Sequence, residues 1–278
     1  MNASTVKLTI REIKSSLGRY LAIFAIIALG AGLFVGLRLC RPDFLETYDQ
    51  YVHETNFYDI RLVSTLGLTD DDLAAVKQLD GVKKAEAVVG ADFLFNTDSE
   101  DNLIMMAQSI PDEVNLIDLK CGRMPEKANE CLADPAMYSE DDIGKTIKLS
   151  NDNSDQTFDT FAYDEYTIVG ITETVLYINL ERGSSTLGNG SVKGYIYIPK
   201  DGFSTDYYTD IYLCLDTQGY VYSDEYEKSV EQYVPMLEEF MQQRAEIRFD
   251  SVIDGAMSQL DDAKKQYEEG KAQYDAAK

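Results

Sequence analysis

The chain has 278 residues, of which 45% are apolar, enough for a substantial core in one large domain or two modest ones. Its net charge is −24, yet residues 1–42 hold six of the 25 basic residues and a single acid, which leaves 19 basic and 48 acidic residues for the remainder. A body this acidic repels phosphate backbones, so nucleic acid is excluded as a partner.

An apolar stretch from Tyr20 to Leu39 predicts a membrane-spanning helix. As an α-helix it would extend about 30 Å, which is the thickness of the hydrocarbon core of a bilayer. Arg11, Lys14 and Arg19 precede it, and the segment that follows soon turns acidic. The positive-inside rule therefore places the N-terminus in the cytoplasm and the residues after about 42 outside the plasma membrane.

Two processed forms compete with a retained anchor. A cleaved signal peptide would have a shorter apolar run that ends at a small-x-small site, and no such site closes this run. A lipoprotein signal would need a small residue before Cys40, where Leu39 and Arg38 stand instead. We therefore interpret the segment as a retained membrane anchor.

Ala28, Gly32 and Gly36 recur every four residues and form one smooth face of this helix. Such a face lets a neighbouring helix approach closely, so it predicts packing against other membrane helices. The alternative is that glycine is simply common in membrane helices.

From about residue 56 the pattern predicts a mixed α+β body. Residues 56–65 alternate in the manner of a strand. Thr69 then has the character of a helix N-cap, with three aspartates on the first turn, and Gly81 ends the helix. Polar loops are predicted over 151–161 and 179–192. Further strands are predicted over residues 83–95, 103–110, 145–149, 165–178, 194–198 and 210–215.

Motifs for catalysis, cofactors or metals are missing from the sequence. It has one histidine, His53, and no G-x-S-x-G, HExxH or paired CxxC motif. Residues 151–155 alternate as in a calcium loop, but the glycine and the bidentate glutamate of that loop are absent. The Gly/Ser-rich stretch 183–191 lacks the Lys-Ser/Thr ending of a phosphate-binding loop. We predict that the chain is not an enzyme and that it has no catalytic, cofactor-binding or metal-binding residues.

The last segment has the clearest periodicity. Large and small residues alternate along one helix face at spacings of three and four, which predicts a coiled-coil seam for a close partner helix. An amphipathic helix lying on its own domain is the alternative. Under the first interpretation, the chain is the front part of a longer protein whose next helix returns antiparallel. The seam residues are Ile253, Ala256, Leu260, Ala263, Tyr267, Gly270, Tyr274 and Ala277.

Taken in order, these segments resemble the FtsX-like permeases of ABC transporters, including the macrolide-exporter type. Residues 9–37 look like their N-terminal helix and first span, and residues 57–86 are similar to the first strand-helix-strand of their extracytoplasmic core domain. In that domain a "GR-P...E" element precedes "IGKTIKL" and a "YTIVGIT" strand. The corresponding residues of this sequence are Gly122, Arg123, Pro125, Glu130 and Gly144, then Tyr166–Thr172.

The resemblance implies a permease subunit that works with a separate ABC ATPase and binds no ATP itself. ATP hydrolysis would drive extracytoplasmic conformational change, for export or for mechanotransmission, and the sequence does not identify a substrate. Family members continue into a second membrane block, so we expect the N-terminal part of a permease whose partners include further permease helices or a second permease copy. The implied division is a cytoplasmic helix over 1–19, a transmembrane helix over 20–41, a core domain over 42–248 and the start of a coiled-coil stalk over 249–278.

A function of a different class is also compatible with the sequence. The chain could be a membrane-anchored extracellular sensor or adhesion module that uses its acidic body as a binding surface. Further membrane spans downstream and an adjacent ATPase gene would favour the permease.

Two cysteines flank the GR-P...E element. Leu119–Cys121 and Glu130–Ala133 are predicted as short strands around a polar turn, and Asp134-Pro135 as the cap of the next helical turn. Cys121 and Cys131 would then face each other across the strands, and an external location permits a disulfide, which the sequence leaves open. We interpret the stretch as scaffold.

Overall fold

The computed structural model of the chain describes residues 6, 9, 11, 14, 16–97, 102–177 and 181–276. Most of the predicted cytoplasmic helix, and Ala277 of the seam, lie outside the described residues. The chain divides into two compact units, residues 1–51 and 52–278.

The first helix, α1, runs from Leu17 to Glu54. Its apolar stretch from Tyr20 to Leu39 is exposed throughout. Among the described residues, α1 is the one helix long and apolar enough to cross a membrane. It continues for about three and a half turns past residue 41, the predicted end of the span.

A small antiparallel sheet has the strand order β1-β10-β2. Its central strand therefore comes from the C-terminal part of the body, and its two edge strands come from the N-terminal part. The strands are β1 (Ile60–Leu68), β2 (Val82–Val88) and β10 (Tyr208–Leu215).

Helix α2 (Asp70–Val76) connects β1 to β2 and begins at Thr69 with a capping box. The Thr69 hydroxyl oxygen accepts a hydrogen bond from the Asp72 amide, and the Asp72 carboxylate accepts one from the Thr69 amide. The two bonds satisfy two of the free N–H groups at the start of a helix. The predicted N-cap is confirmed.

A second sheet of seven strands forms the larger part of the body. Its order is β3-β4-β9-β6-β8-β5, and β7 pairs with β8 as well. The pairs β4/β9 and β6/β8 are parallel, and the other pairs are antiparallel. The strands are β3 (Gly90–Phe95), β4 (Leu103–Ser109), β5 (Ile117–Gly122), β6 (Glu130–Ala133), β7 (Thr146–Lys148), β8 (Glu165–Thr174) and β9 (Val192–Ile198).

Three further helices complete the described part of the chain: α3 (Asp155–Thr160), α4 (Asp224–Glu231) and α5 (Val234–Ala276). The predicted α+β class, with an apolar N-terminal helix and a long C-terminal helix, is confirmed. The coiled coil stays a prediction, because within the described residues no second helix lies along the distal part of α5.

One hydrophobic core joins the two sheets. Its fully buried members include Phe93 and Ile168 from the large sheet and Ile211 and Leu213 from the small sheet. Leu237, near the start of α5, belongs to the same cluster. Burial of side chains of this size contributes about 1.5–3 kcal/mol each to stability, so the two sheets stabilise each other.

Two predicted segments differ in the structure. The strand predicted over 83–95 breaks at Val89, and its halves join different sheets as β2 and β3. The loop predicted over 151–161 as a solvated connection contains α3, and its Asn153 side chain exchanges hydrogen bonds with the Leu94 backbone. The segment is a largely exposed connection, as predicted, but it is not irregular throughout, because it contains α3 and the Asn153 amide takes the place of a neighbouring strand at this position of β3.

Candidate functional site

The end of α1 is closed by a left-handed residue, Asn56, whose φ is 49°. The Asn56 amide donates to the His53 carbonyl (3.3 Å), and the Phe57 amide donates to the Val52 carbonyl (2.9 Å). This pair of bonds is a Schellman motif, which satisfies carbonyls left over at a helix end. Asparagine tolerates the left-handed region better than most residues, so Asn56 determines where α1 ends.

The exit segment, residues 55–59, is fixed to the loop that precedes β5. The amides of Asn115 and Leu116 donate to the carbonyls of the first two residues of the exit segment, at 3.0 and 2.8 Å. The Asn115 side-chain oxygen accepts a bond from the Tyr58 amide (3.1 Å). Asn115 is buried and has a φ of 57°, so this contact depends on a left-handed backbone conformation at Asn115 of the loop.

Asp59 connects the exit segment to β10 and α4. Its amide donates to the Leu213 carbonyl (2.7 Å), and its carboxylate accepts bonds from the Leu215 amide and the Tyr226 hydroxyl, both at 2.6 Å. Burial and the bond to Asp59 raise the pKa of Tyr226 well above its usual value. Tyr226 therefore stays protonated at neutral pH and remains a hydrogen-bond donor.

A cavity of about 180 Å³ lies beside the exit segment, with Val52, Phe57, Val221 and Tyr226 among its lining residues. Cys214 is part of its wall and donates to the Asn56 carbonyl (3.4 Å). Burial raises the pKa of Cys214 to about 12, so the thiol is protonated and unreactive at neutral pH. In this wall Cys214 acts as a packing and hydrogen-bonding group.

The first part of α5 packs on β1 and α2. Leu237 is buried, and it lines an apolar groove with Met241 against the first residues of β1. The Arg244 guanidinium forms an ion pair with Asp72, the same carboxylate that caps α2. Arg248 donates to the Leu66 carbonyl (3.2 Å). These contacts hold α5 to the body as far as Arg248.

Strand β1 is thus reached by both long helices. The last turn of α1 leads into it through the exit segment, and α5 packs along it. We call the three-stranded sheet together with residues 55–59 the connector.

The GR-P...E element forms a closed hook between β5 and β6. Both Glu130 carboxylate oxygens accept bonds from the Arg123 guanidinium, at 2.7 and 2.8 Å. The carboxylate also accepts bonds from the amides of Glu126 and Lys127. Pro125 lies in the turn between these partners. The bonds from Arg123, followed by those from the backbone, lower the pKa of Glu130 to about 2.

Two glycines of the predicted motif lie against β8. Gly122 has a φ of +83°, and a Cβ there would be 2.3 Å from the Val169 carbonyl oxygen. Only glycine fits this position without strain. Gly144 has a φ of +96° and donates to the Ile168 carbonyl (2.8 Å). Motif residues from separate parts of the sequence are therefore brought together on β8.

The two cysteines of the hook do not face each other. Cys121 on β5 pairs with Ile171 of β8, and Cys131 on β6 pairs with Ile168 on the other side of β8. Strands two positions apart are separated by about 9–10 Å, whereas the Cα atoms of a disulfide are usually within about 7 Å. Both thiols are free. The predicted juxtaposition is wrong because β8 is inserted between the two strands.

Residues 17–234 of the sequence match a known family, the MacB-like periplasmic core domain. The chain belongs to this family. The resemblance to FtsX-like permeases of the macrolide-exporter type is confirmed by this match. Together with the apolar α1, membership in a family of periplasmic domains indicates a membrane-anchored chain with an extracytoplasmic domain.

Solved structures that match the chain include the extracellular domain of the noncanonic ABC-type transporter YknZ from Gram-positive bacteria. It is 16% identical, has a TM-score of 0.36, and the match covers 60% of this chain and 80% of that one. The periplasmic region of MacB from Actinobacillus actinomycetemcomitans is 11% identical, with a TM-score of 0.36 and coverage of 63% and 75%. No curated protein matches the sequence.

The MacB-like domain contains a buried ion pair that the sequence did not reveal. Asp134 was predicted only as a turn cap, and its carboxylate does accept a bond from the Ala136 amide (2.8 Å). The same carboxylate accepts two bonds from the Arg182 guanidinium, at 2.6 and 2.9 Å. The Arg182 guanidinium lies beside the stacked rings of Tyr177 and Tyr195, with its central carbon 5.7 and 5.4 Å from their centroids, which are 5.2 Å apart. The polar loop predicted over 179–192 thus contributes a buried side chain, and an arginine directly before the Gly/Ser-rich stretch 183–191 was the available signal.

The other predicted site residues are exposed in the MacB-like chain. Ala28, Gly32 and Gly36 lie on an exposed part of α1, where a Cβ at either glycine meets nothing within 4 Å. The roles of this face and of the seam as packing surfaces stay predictions. The exposed seam residues are Leu260, Ala263, Tyr267, Gly270 and Tyr274.

Proposed function

We propose that this chain is the N-terminal part of a permease subunit of an ABC transporter, in which a separate ATPase drives movement of the extracytoplasmic domain. The observation that carries the proposal is the continuity of α1. The helix runs unbroken from its apolar stretch to Glu54, and it is capped at the exit segment of a MacB-like core domain. A helix can convey a displacement along its axis, because its turns are hydrogen-bonded to one another; within α1, Pro42 is an interior position that donates no such bond.

The charge distribution supports an orientation with the N-terminus in the cytoplasm. Six of the 42 N-terminal residues are basic and one is acidic, whereas the remainder is strongly acidic. An ATPase in the cytoplasm would then act at the N-terminal, cytoplasmic end of α1. The core domain and the distal part of α5 would respond outside, to export a substrate or to control an extracellular process.

The connector supports a route for this response. Asp59 bonds to β10 and to Tyr226 of α4, so a shift of the exit segment changes contacts on two elements at once. The first part of α5 is fixed to β1 and α2 through Leu237 and Arg244. Coupling between distant sites requires such a contiguous set of packed and hydrogen-bonded elements.

A helix break in α1 tests the proposal. The complete permease, reconstituted with its ATPase in lipid nanodiscs, would carry Gln50→Pro or the control Gln50→Ala. Proline in a helix interior removes a hydrogen bond and costs about 3 kcal/mol or more locally, so Gln50→Pro adds a second such site to the native Pro42, close to the exit segment. We expect Gln50→Pro to reduce permease-dependent stimulation of the ATPase at least about tenfold, a loss of about 1.4 kcal/mol of coupling, while Gln50→Ala keeps it. Full stimulation with Gln50→Pro, in protein whose thermal unfolding is unchanged, would contradict transmission through α1.

Cysteine labelling tests the orientation. A reagent that does not cross membranes should label Gln156→Cys in whole cells and label Ser16→Cys only after lysis, each compared with the parent chain. The reverse pattern would overturn the proposed topology. A chain that is correctly oriented but neither binds nor stimulates an ATPase would favour the sensor or adhesion alternative.

A further inference from the structure

The distal part of α5, residues 249–276, is a helix with an uncovered apolar face. The last described contact with the body is made by Arg248, and each described side chain from Phe249 to Lys271 is exposed. Leu260 is 55% exposed and Tyr267 is 71% exposed. Large apolar side chains at this level of exposure, repeated at heptad spacing, require a partner surface. We call residues 249–276 the stalk.

The positions that flank the seam differ from the rest of the stalk in charge. With Leu260 and Tyr267 at heptad position a, position e holds Lys264 and Lys271, and position g holds Gln259 and Gln266. Asp250, at the first e position of the stalk, is the one acidic residue at an e or g position from Phe249 to Lys271. The acids occupy the outer positions b and c, as Asp254, Asp261, Asp262, Glu268 and Glu269.

A second copy of the chain does not supply acids opposite both lysines. In a parallel pair, e faces g of the partner, so each lysine would meet a glutamine. In an antiparallel pair, e faces e, so the register that places Lys271 opposite Asp250 places Lys264 opposite Met257, and a register shifted by one heptad places Lys264 opposite its own copy. Like charges placed opposite each other across a helix pair are unfavourable, and charged flanks determine which helices associate.

The lysines are available for a partner. Lys264 lies 3.7 Å from Asp261 within the helix, and both side chains are more than half exposed. An exposed pair of this kind contributes little, so it does not hold the lysine away from the seam. A groove between Leu260, Ala263 and Tyr267 is bordered by Lys264, Lys271 and Glu268. An apolar side chain of a partner helix fits this groove, and its acidic neighbours would reach the two lysines.

We propose that the stalk binds an amphipathic helix of a different sequence, one that carries acidic residues beside its apolar face opposite Lys264 and Lys271. This proposal rests on the proposed function in one respect: it takes the stalk to be an element that pairs within the permease. Gly270 lies on the seam and has no side chain, so a partner helix can approach closely there. Within the chain itself, a Cβ at this position would meet nothing within 4 Å.

Designed peptides test this partner chemistry. The 278-residue protein in nanodiscs of neutral lipid would be titrated with fluorescent peptides of about four heptads that share one apolar seam and carry either Glu or Lys at every e and g position. We expect the Glu peptide to bind at least about tenfold more tightly than the Lys peptide, since each flanking ion pair changes from repulsive to attractive. Lys264→Glu combined with Lys271→Glu should reverse the preference.

Matched glycine variants locate the surface. Gly270→Leu on the seam and Gly255→Leu off the seam both place a side chain in open space. Gly270→Leu should abolish binding of the Glu peptide, and Gly255→Leu should keep it, with the thermal unfolding of both proteins unchanged. Four outcomes would each overturn the proposal. They are equal affinity for the two peptides, equal effects of the two glycine variants, self-association of the chain through the seam, and binding of the stalk to anionic vesicles in place of the peptide. Peptide binding needs no ATPase, so the peptide can fail to bind while the proposed function stands. The proposed function can likewise fail while the peptide binds.

Discussion

Arg182 and Asp134 form the most deeply buried ion pair among the described residues, with side-chain exposures of 7% and 0%. The Arg182 guanidinium also lies 5.7 and 5.4 Å from the ring centroids of Tyr177 and Tyr195, so the buried cation has aromatic partners as well as the carboxylate. The mutual attraction within such a pair adds little to the free energy of unfolding. Removing one member is costly, because it leaves the other as a buried charge without a partner.

We therefore expect Arg182→Ala to lower the free energy of unfolding by about 3–5 kcal/mol. Replacement of both partners, Arg182→Met with Asp134→Leu, should cost much less. The matched exposed control is Lys120→Ala, which removes surface pairs with Asp118 and Glu173 and should change stability little, because solvent screens exposed ion pairs. Urea denaturation measures all three. A cost for Arg182→Ala no larger than that for Lys120→Ala would show that the pair is not buried in solution.

The hook gives the domain a pH dependence with a defined sign. The pKa of Glu130 is lowered to about 2, chiefly by Arg123, from an unfolded value of about 4.3. A lowered pKa stabilises the fold above the unfolded value, and this contribution is lost as the pH falls towards 2. We expect the stability difference between the wild type and Glu130→Gln to be constant above about pH 5 and to shrink between pH 5 and pH 2. Urea denaturation at pH 7, 4 and 2.5 measures it, and a difference independent of pH would contradict the ion pair.

At the scale of elements, the end of α1 depends on one left-handed residue. A β-branched residue in this region costs about 1–2 kcal/mol, whereas glycine has no such cost. We expect Asn56→Val to lower the free energy of unfolding of the core domain by about that amount and Asn56→Gly to leave it nearly unchanged. Thermal unfolding measures the pair. Equal effects of the two substitutions would mean that the Asn56 side chain matters more than its backbone conformation.

The exposed face of α1 predicts a second contrast. If Ala28, Gly32 and Gly36 pack against another membrane helix, Gly32→Leu should weaken assembly with the remaining permease helices. Gly30 lies on a different side of the helix, and Gly30→Leu should be tolerated. Neither substitution meets an obstacle within the chain, since a Cβ at either position has nothing within 4 Å. Co-purification of permease helices measures assembly, and equal losses would mean that the face is incidental.

Across the whole molecule, the elements whose signals are local could be predicted. Thr69 with three following aspartates predicts α2, and alternating apolar residues predict most strands, because both patterns depend on neighbours in sequence. The order of the strands could not be predicted in this way. Cys121 and Cys131 are ten residues apart, yet β8, whose sequence comes more than thirty residues later, separates them.

The same limit applies to the candidate site. The bonds that fix the exit segment join Asp59 to Tyr226 and Tyr58 to Asn115, at sequence separations of 167 and 57 residues. An unpaired aspartate or asparagine in a sequence gives no indication of a partner at that distance. The Asn56 cap did carry a local signal, and it was missed because the strand was predicted to start at residue 56, whereas β1 starts at Ile60.

Hydrogen exchange of the complete permease with its ATPase tests the central claim, that nucleotide-driven movement enters the core domain through α1 and the connector. The amides of Asp59, Asn115 and Leu116 donate to backbone carbonyls at the exit segment and β10, so their exchange reports directly on this junction. During ATP turnover, peptides covering residues 52–63 and 110–116 should exchange at a different rate from the nucleotide-free transporter, while peptides from β8 stay unchanged. Identical exchange of residues 52–63 with and without ATP, while the ATPase is turning over, would contradict the account.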